Sequence, residues 1–120
     1  MLHRNSQKRI YVQNAIYSIT TCTFARYPYF TEDIFCKLFV QELELCQRVK
    51  GFELLGYKIN WEHVHLLIQP SAEHDFSEIM HFLKRHYSRN HNYIVATNGA
   101  IQYSKASDNI SKATLANVAF

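Results

Sequence analysis

Two histidines one residue apart, His63 and His65, stand in the run His63-Val-His-Leu-Leu-Ile-Gln69. In an extended strand alternate side chains share a face, so both imidazoles project together while Val64, Leu66 and Ile68 project the other way. Two imidazoles at that spacing can hold one metal ion, and a protein site needs at least a third ligand from elsewhere. The pattern is short enough to recur by chance, and it suits two exposed histidines on a half-buried sheet equally well. Downstream, His81, Lys84, Arg85, Ser88 and Arg89 recur at three- and four-residue intervals, which places them on one side of a helix. Arginine can grip a phosphate with two hydrogen bonds and lysine as a point charge; the plain alternative is the solvated side of an amphipathic helix. Tyr87 and His91, one helical turn apart, imitate a nucleophile with a ligand beside it. Tyr87 also falls on the apolar stripe of Phe76, Ile79, Met80 and Leu83, so core packing is the better reading.

The elements that must position these residues follow from periodicity and punctuation. Ala15–Phe24 is rich in β-branched and aromatic residues and reads as a strand. Thr31–Lys50 reads as a helix with Thr31 as N-cap, Arg48 and Lys50 in its last turn and Gly51 just beyond it. Phe52–Asn60 and His63–Gln69 read as strands across the short connection Asn60-Trp61-Glu62, and Pro70 stops the second. A helix over about Asp75–Asn92 opens with Asp75 and, three residues on, Glu78, a capping box. Strand, helix, strand, strand, helix predicts an α+β, ferredoxin-like βαββα(β) domain, an antiparallel sheet with helices on one face. The sixth element is weakly marked; Tyr93–Val95 and Ile101–Tyr103 are the segments that can supply a short strand. These elements predict one domain over residues 1–95 and a poorly defined C-terminal segment over 96–120.

At 120 residues, with 48% hydrophobic and 14% aromatic residues, the chain can build one core without staples. Three Gly and two Pro exclude collagen-like and Pro/Gly-rich disordered chains. Cys22, Cys36 and Cys46 show no Cys-x-x-Cys spacing, which argues against a disulfide scaffold or zinc knuckle and for a reducing, cytoplasmic setting. No apolar run reaches the roughly 18 residues of a membrane span, and the basic start leads into no signal-peptide core. The net charge of +3 is unevenly spread. Arg4, Lys8, Arg9 and Arg26 lie in one acid-free stretch, and Lys84, Arg85, Arg89 and Lys105 lie in another. Such stretches can attract a polyanion.

Ile59-Asn-Trp-Glu-His-Val-His-Leu-Leu-Ile-Gln-Pro70, followed by Phe76-Ser-Glu-Ile-Met-His-Phe-Leu-Lys-Arg-His-Tyr-Ser-Arg89, resembles the single-tyrosine HUH transposases of insertion sequences and REP elements. Ile16–Phe30, with Arg26-Tyr-Pro-Tyr-Phe30, is similar to the family's first strand and the turn after it. The resemblance covers about residues 8–95. It implies DNA transposition by a palm, the domain over residues 1–95, that binds hairpin and single-stranded DNA, with no membrane role and with homodimer formation. It implies that His63 and His65 are a metal pair for Mg²⁺ or Mn²⁺, and that a tyrosine attacks the strand to give a 5′-phosphotyrosine. Lys84, Arg85, Arg89, Arg26, Lys8 and Arg9 are the expected DNA contacts.

In this family the tyrosine and the third ligand sit on a C-terminal helix, which Asn98–Phe120 does not resemble; Tyr103 there has no ligand one turn on. The expectation is therefore a truncated or decayed copy whose nucleophile is unidentified. Its competitors are a non-catalytic DNA-binding remnant and an unrelated ferredoxin-like domain that binds proteins through its open sheet.

Overall fold

The computed structural model describes residues 12–102 and 119–120, with side chains for 12–97 and 119–120. In chain order the elements are β1 (Tyr17–Cys22), two short 3-10 turns, α1 (Asp33–Lys50), β2 (Glu53–Ile59), β3 (His63–Gln69) and α2 (Phe76–Gln102). The strands form one sheet in the order β1-β3-β2, with β3 antiparallel to both neighbours. This is the predicted α+β, ferredoxin-like arrangement, with the His-Val-His strand at the centre of the sheet.

The core lies between the sheet and the helices. Val64, Leu66 and Ile68 from β3 are buried against Phe35, Leu38, Phe39, Leu43 and Cys46 of α1 and Ile79, Met80, Leu83 and Tyr87 of α2. Strict alternation makes this possible, because every second β3 residue is apolar and faces inward. At the far end Phe120 joins the core beside Phe30, Phe39 and Tyr87, and the carbonyl of Ala119 accepts from the Phe24 N–H at 2.9 Å.

Both helix signals are instructive. The capping box at α2 forms as predicted: the Glu78 N–H donates to Asp75 Oδ1 at 2.9 Å and the Asp75 N–H to Glu78 Oε1 at 3.0 Å. Thr31 does not cap α1. It ends a 3-10 turn, its hydroxyl donates to the Pro28 carbonyl, and Glu32 takes the cap position without a side-chain bond. Gly51 terminates α1 in the left-handed conformation, φ 67°, as its position predicts.

The proposed sixth strand is absent where it can be examined. Tyr93–Val95 and Ile101–Gln102 belong to α2, and Tyr103 lies outside the described residues. The helix passes Asn92 because its buried stripe continues through His91, which is fully buried, to the partly buried Ile94 and Val95. Among the described residues, no helix is long and apolar enough to cross a membrane.

Candidate metal centre and nucleic-acid interface

His63 and His65 lie together on the sheet face away from the helices. Their Nε2 atoms are 3.1 Å apart and the rings meet edge to face. The register fixes their neighbours: Cys22 lies across from His63, and Thr20 and Lys58 flank His65 from either side. The other nitrogen of each ring is engaged. His63 Nδ1 is 3.1 Å from Glu62 Oε1, and His65 Nδ1 is 2.9 Å from Thr20 Oγ1. Asn60 Nδ2 approaches His63 Nε2 at 3.0 Å.

The connection between β2 and β3 is held tightly enough to fix Glu62. The Asn60 N–H donates to the His63 carbonyl at 2.8 Å, closing the hairpin, and the Thr23 N–H donates to the Glu62 carbonyl at 2.9 Å. The buried Thr23 hydroxyl also reaches that carbonyl. Glu62 faces Arg26 on its other side, with Oε2 3.5 Å from Nη2. Its own backbone N–H, the His63 hydrogen bond and Arg26 together hold its carboxyl below the usual range, so it is an anion at neutral pH. Arg26 is delivered by a turn in which Ala25 and Arg26 take positive φ values of 55° and 54°.

This arrangement fits a divalent ion. A carboxylate accepting from Nδ1–H of His63 leaves Nε2 unprotonated, the usual second-sphere support of a metal-binding histidine; its lone pair accepts from the Asn60 amide N–H. Thr20 can accept from His65 in the same way, because a hydroxyl both donates and accepts. Two unprotonated Nε2 atoms 3.1 Å apart repel unless a proton or a cation lies between them. Adjacent ligands of an octahedral ion with bonds of about 2.1 Å stand about 3.0 Å apart, and those of a tetrahedral ion about 3.4 Å. Among the described residues no third His, Cys, Asp or Glu completes a cluster with the pair.

The expected DNA contacts fall on different sides. Arg26 lies beside the His pair through Glu62. Arg85 and Arg89 are exposed on α2 opposite its buried stripe, and Lys84 is half-buried on the same helix. The helix layer and the sheet therefore separate these cations from the His pair; they do not flank it. Lys8 and Arg9 lie outside the described residues. Tyr87 is a core residue: it is fully buried, its hydroxyl lies 2.9 Å from His91 Nδ1, and burial pushes its ionisation far up.

Glu62, Thr20 and Lys58 were not legible as site residues. Glu62 carried a signal, an acid directly before the first histidine. Thr20 and Lys58 required the strand register.

The family model for IS200-like transposases matches residues 11–106. Solved structures share the fold, a transposase and a candidate transposase among them. One is a REP-associated tyrosine transposase bound to a REP hairpin, with a TM-score of 0.63 and 17% identity over 71% of this chain and 52% of that one. The other is a candidate transposase from Deinococcus radiodurans R1, with a TM-score of 0.57 and 22% identity over 71% of this chain and 65% of that one. The chain thus spans about half to two thirds of the length of these neighbours. No curated protein matches it significantly. With the family model covering the whole sheet, both helices and the His-Val-His strand, the chain belongs to the IS200-like transposase family.

Proposed function

We propose that this chain is the palm of a transposase that binds hairpin and single-stranded DNA and presents a Mg²⁺ or Mn²⁺ site at His63 and His65. The observation that carries the reading is the pair of Nε2 atoms 3.1 Å apart, each on a ring whose other nitrogen a protein group holds. A divalent ion there supplies Lewis-acid stabilisation of the charge that gathers on a phosphodiester under attack. Glu62 and Thr20 orient the rings. Lys58, exposed and in register with His65, draws the DNA backbone to this face, and Arg26 pairs with Glu62. The hydroxyl of a tyrosine outside the described residues, or from another copy of the chain, attacks phosphorus and gives up its proton. The bond from phosphorus to the 3′-oxygen breaks, a free 3′-hydroxyl leaves, and the 5′-phosphotyrosine keeps the energy of that bond for rejoining.

A second reading has its own support. Among the described residues, Tyr87 is sequestered in the core and no third carboxylate, thiol or imidazole joins the pair. A non-catalytic domain that binds DNA and metal has these properties.

One experiment separates them. Mn²⁺ binding is measured by calorimetry, and the chain is then incubated with hairpin oligonucleotides carrying single-stranded flanks and run on a denaturing gel. Metal binding with a covalent adduct supports the transposase. Metal binding with salt-sensitive DNA binding and no adduct supports the binding domain. Absence of both metal and DNA binding overturns both readings and returns the open sheet to a protein-binding role.

A further inference from the structure

The helix layer carries a groove that the His pair does not use. It lies between the last turn of α1 and the first half of α2 and encloses about 480 Å³, with Lys50, Glu78, His81, Phe82, Arg85 and His86 in its lining. The Phe82 and His86 rings are stacked, with centroids 4.1 Å apart and planes within 25°. Lys50 Nζ stands 5.4 Å from the centre of the Phe82 ring. Arg85 Nη2 is 3.0 Å from His81 Nε2, one contact for a guanidinium that has five N–H donors.

Glu78 does not neutralise these cations. Its Oε1 accepts from the Asp75 N–H at 3.0 Å and lies 3.6 Å from His74 Nδ1, so its charge is turned back on the start of α2. The groove therefore offers two permanent cations, two imidazoles and a flat aromatic stack. A carboxylate would use the charges and leave the stack idle, whereas an apolar ligand would bury the cations without partners. An unpaired nucleotide uses both, its phosphate on Lys50 and Arg85 and its base against the ring stack. A base-paired stem hides its base faces and cannot.

We propose that the groove between α1 and α2 binds an unpaired nucleotide of the DNA, on the opposite side of the sheet from His63 and His65. The proposal rests on the DNA-binding reading above and adds Lys50, Phe82 and His86 to it.

The test measures binding of a fluorescent oligo-dT strand and of a blunt hairpin to the full chain by anisotropy, without metal, at two salt concentrations. Thermal melting controls for folding. Lys50→Glu is expected to weaken oligo-dT binding at least about tenfold and to lower its salt dependence. His86→Ala is expected to weaken it about five- to a hundredfold, and His86→Trp to restore it. The blunt hairpin is expected to be indifferent to His86→Ala. Oligo-dT affinity unchanged in both Lys50→Glu and His86→Ala, while Arg85→Ala weakens it, would overturn the groove and leave the reading of a basic α2 surface standing. Equal loss of hairpin and oligo-dT binding in His86→Ala would overturn the unpaired-nucleotide assignment. A wild-type chain that binds neither probe at low salt would remove the DNA-binding reading and the groove with it.

Discussion

At the scale of single residues, the division of labour around the His pair is the main result. The histidines face outward, and Glu62 and Thr20 each hold one ring nitrogen while the two Nε2 atoms face each other. Glu62→Gln and Thr20→Val should each lower Mn²⁺ affinity about ten- to a hundredfold. Glu62→Gln should also shift the tautomer balance of His63 in ¹⁵N NMR of the metal-free protein; unchanged spectra and affinity would refute its orienting role. His91 has a separate consequence. It is buried beneath Phe35 and Tyr29, and desolvation lowers its pKa to about 4, against about 6.5 unfolded. Between those values the unfolded chain binds the extra proton. Its contribution to stability is therefore complete above about pH 6.5 and falls by about 1.4 kcal/mol per unit on acidification. Urea melts at pH 6.5 and pH 5 should show wild type losing roughly 2 kcal/mol more than His91→Phe; parallel losses would exclude His91 as the source. The sequence announced His63 and His65 because alternation alone puts them on one face. It hid Thr20 and Lys58, forty-five and seven positions from His65, because only strand pairing makes them neighbours.

At the scale of elements, β3 was readable to the residue because its apolar and polar positions alternate and Pro70 follows. The length of α2 was not. From the sequence the helix is expected to end at about Asn92, yet Asn90 Nδ2 donates to the buried Glu42 Oε2 of α1 at 2.5 Å and His91 fills a core position. Tertiary contacts override the local signal there. The end of α1, by contrast, depends on one backbone requirement. A Cβ at Gly51 would meet nothing within 4 Å, so the cost of Gly51→Ala is that of the left-handed conformation alone. Chemical denaturation should show a loss of about 1 kcal/mol, and a neutral result would mean that the turn rearranges.

At the scale of the whole molecule, the sheet separates two surfaces. Lys58 and the His pair occupy the face turned away from the helices, while Arg85 and Arg89 project from the helices on the other. Substitutions on the two sides share no partner, so the losses of His65→Ala and Arg85→Ala in affinity for a metal-loaded, tailed hairpin should add within about 0.5 kcal/mol. A strongly non-additive double variant would show that the two surfaces communicate. The separation also has a metric consequence. DNA that touches both the groove and the His pair must travel around an edge of the sheet, because strands cannot pass through it, and packed layers are about 10 Å apart. The protein is then a ruler: it sets a minimum number of nucleotides between the gripped base and the reacting phosphate. Oligonucleotides with progressively shortened spacers should lose simultaneous engagement abruptly at that length.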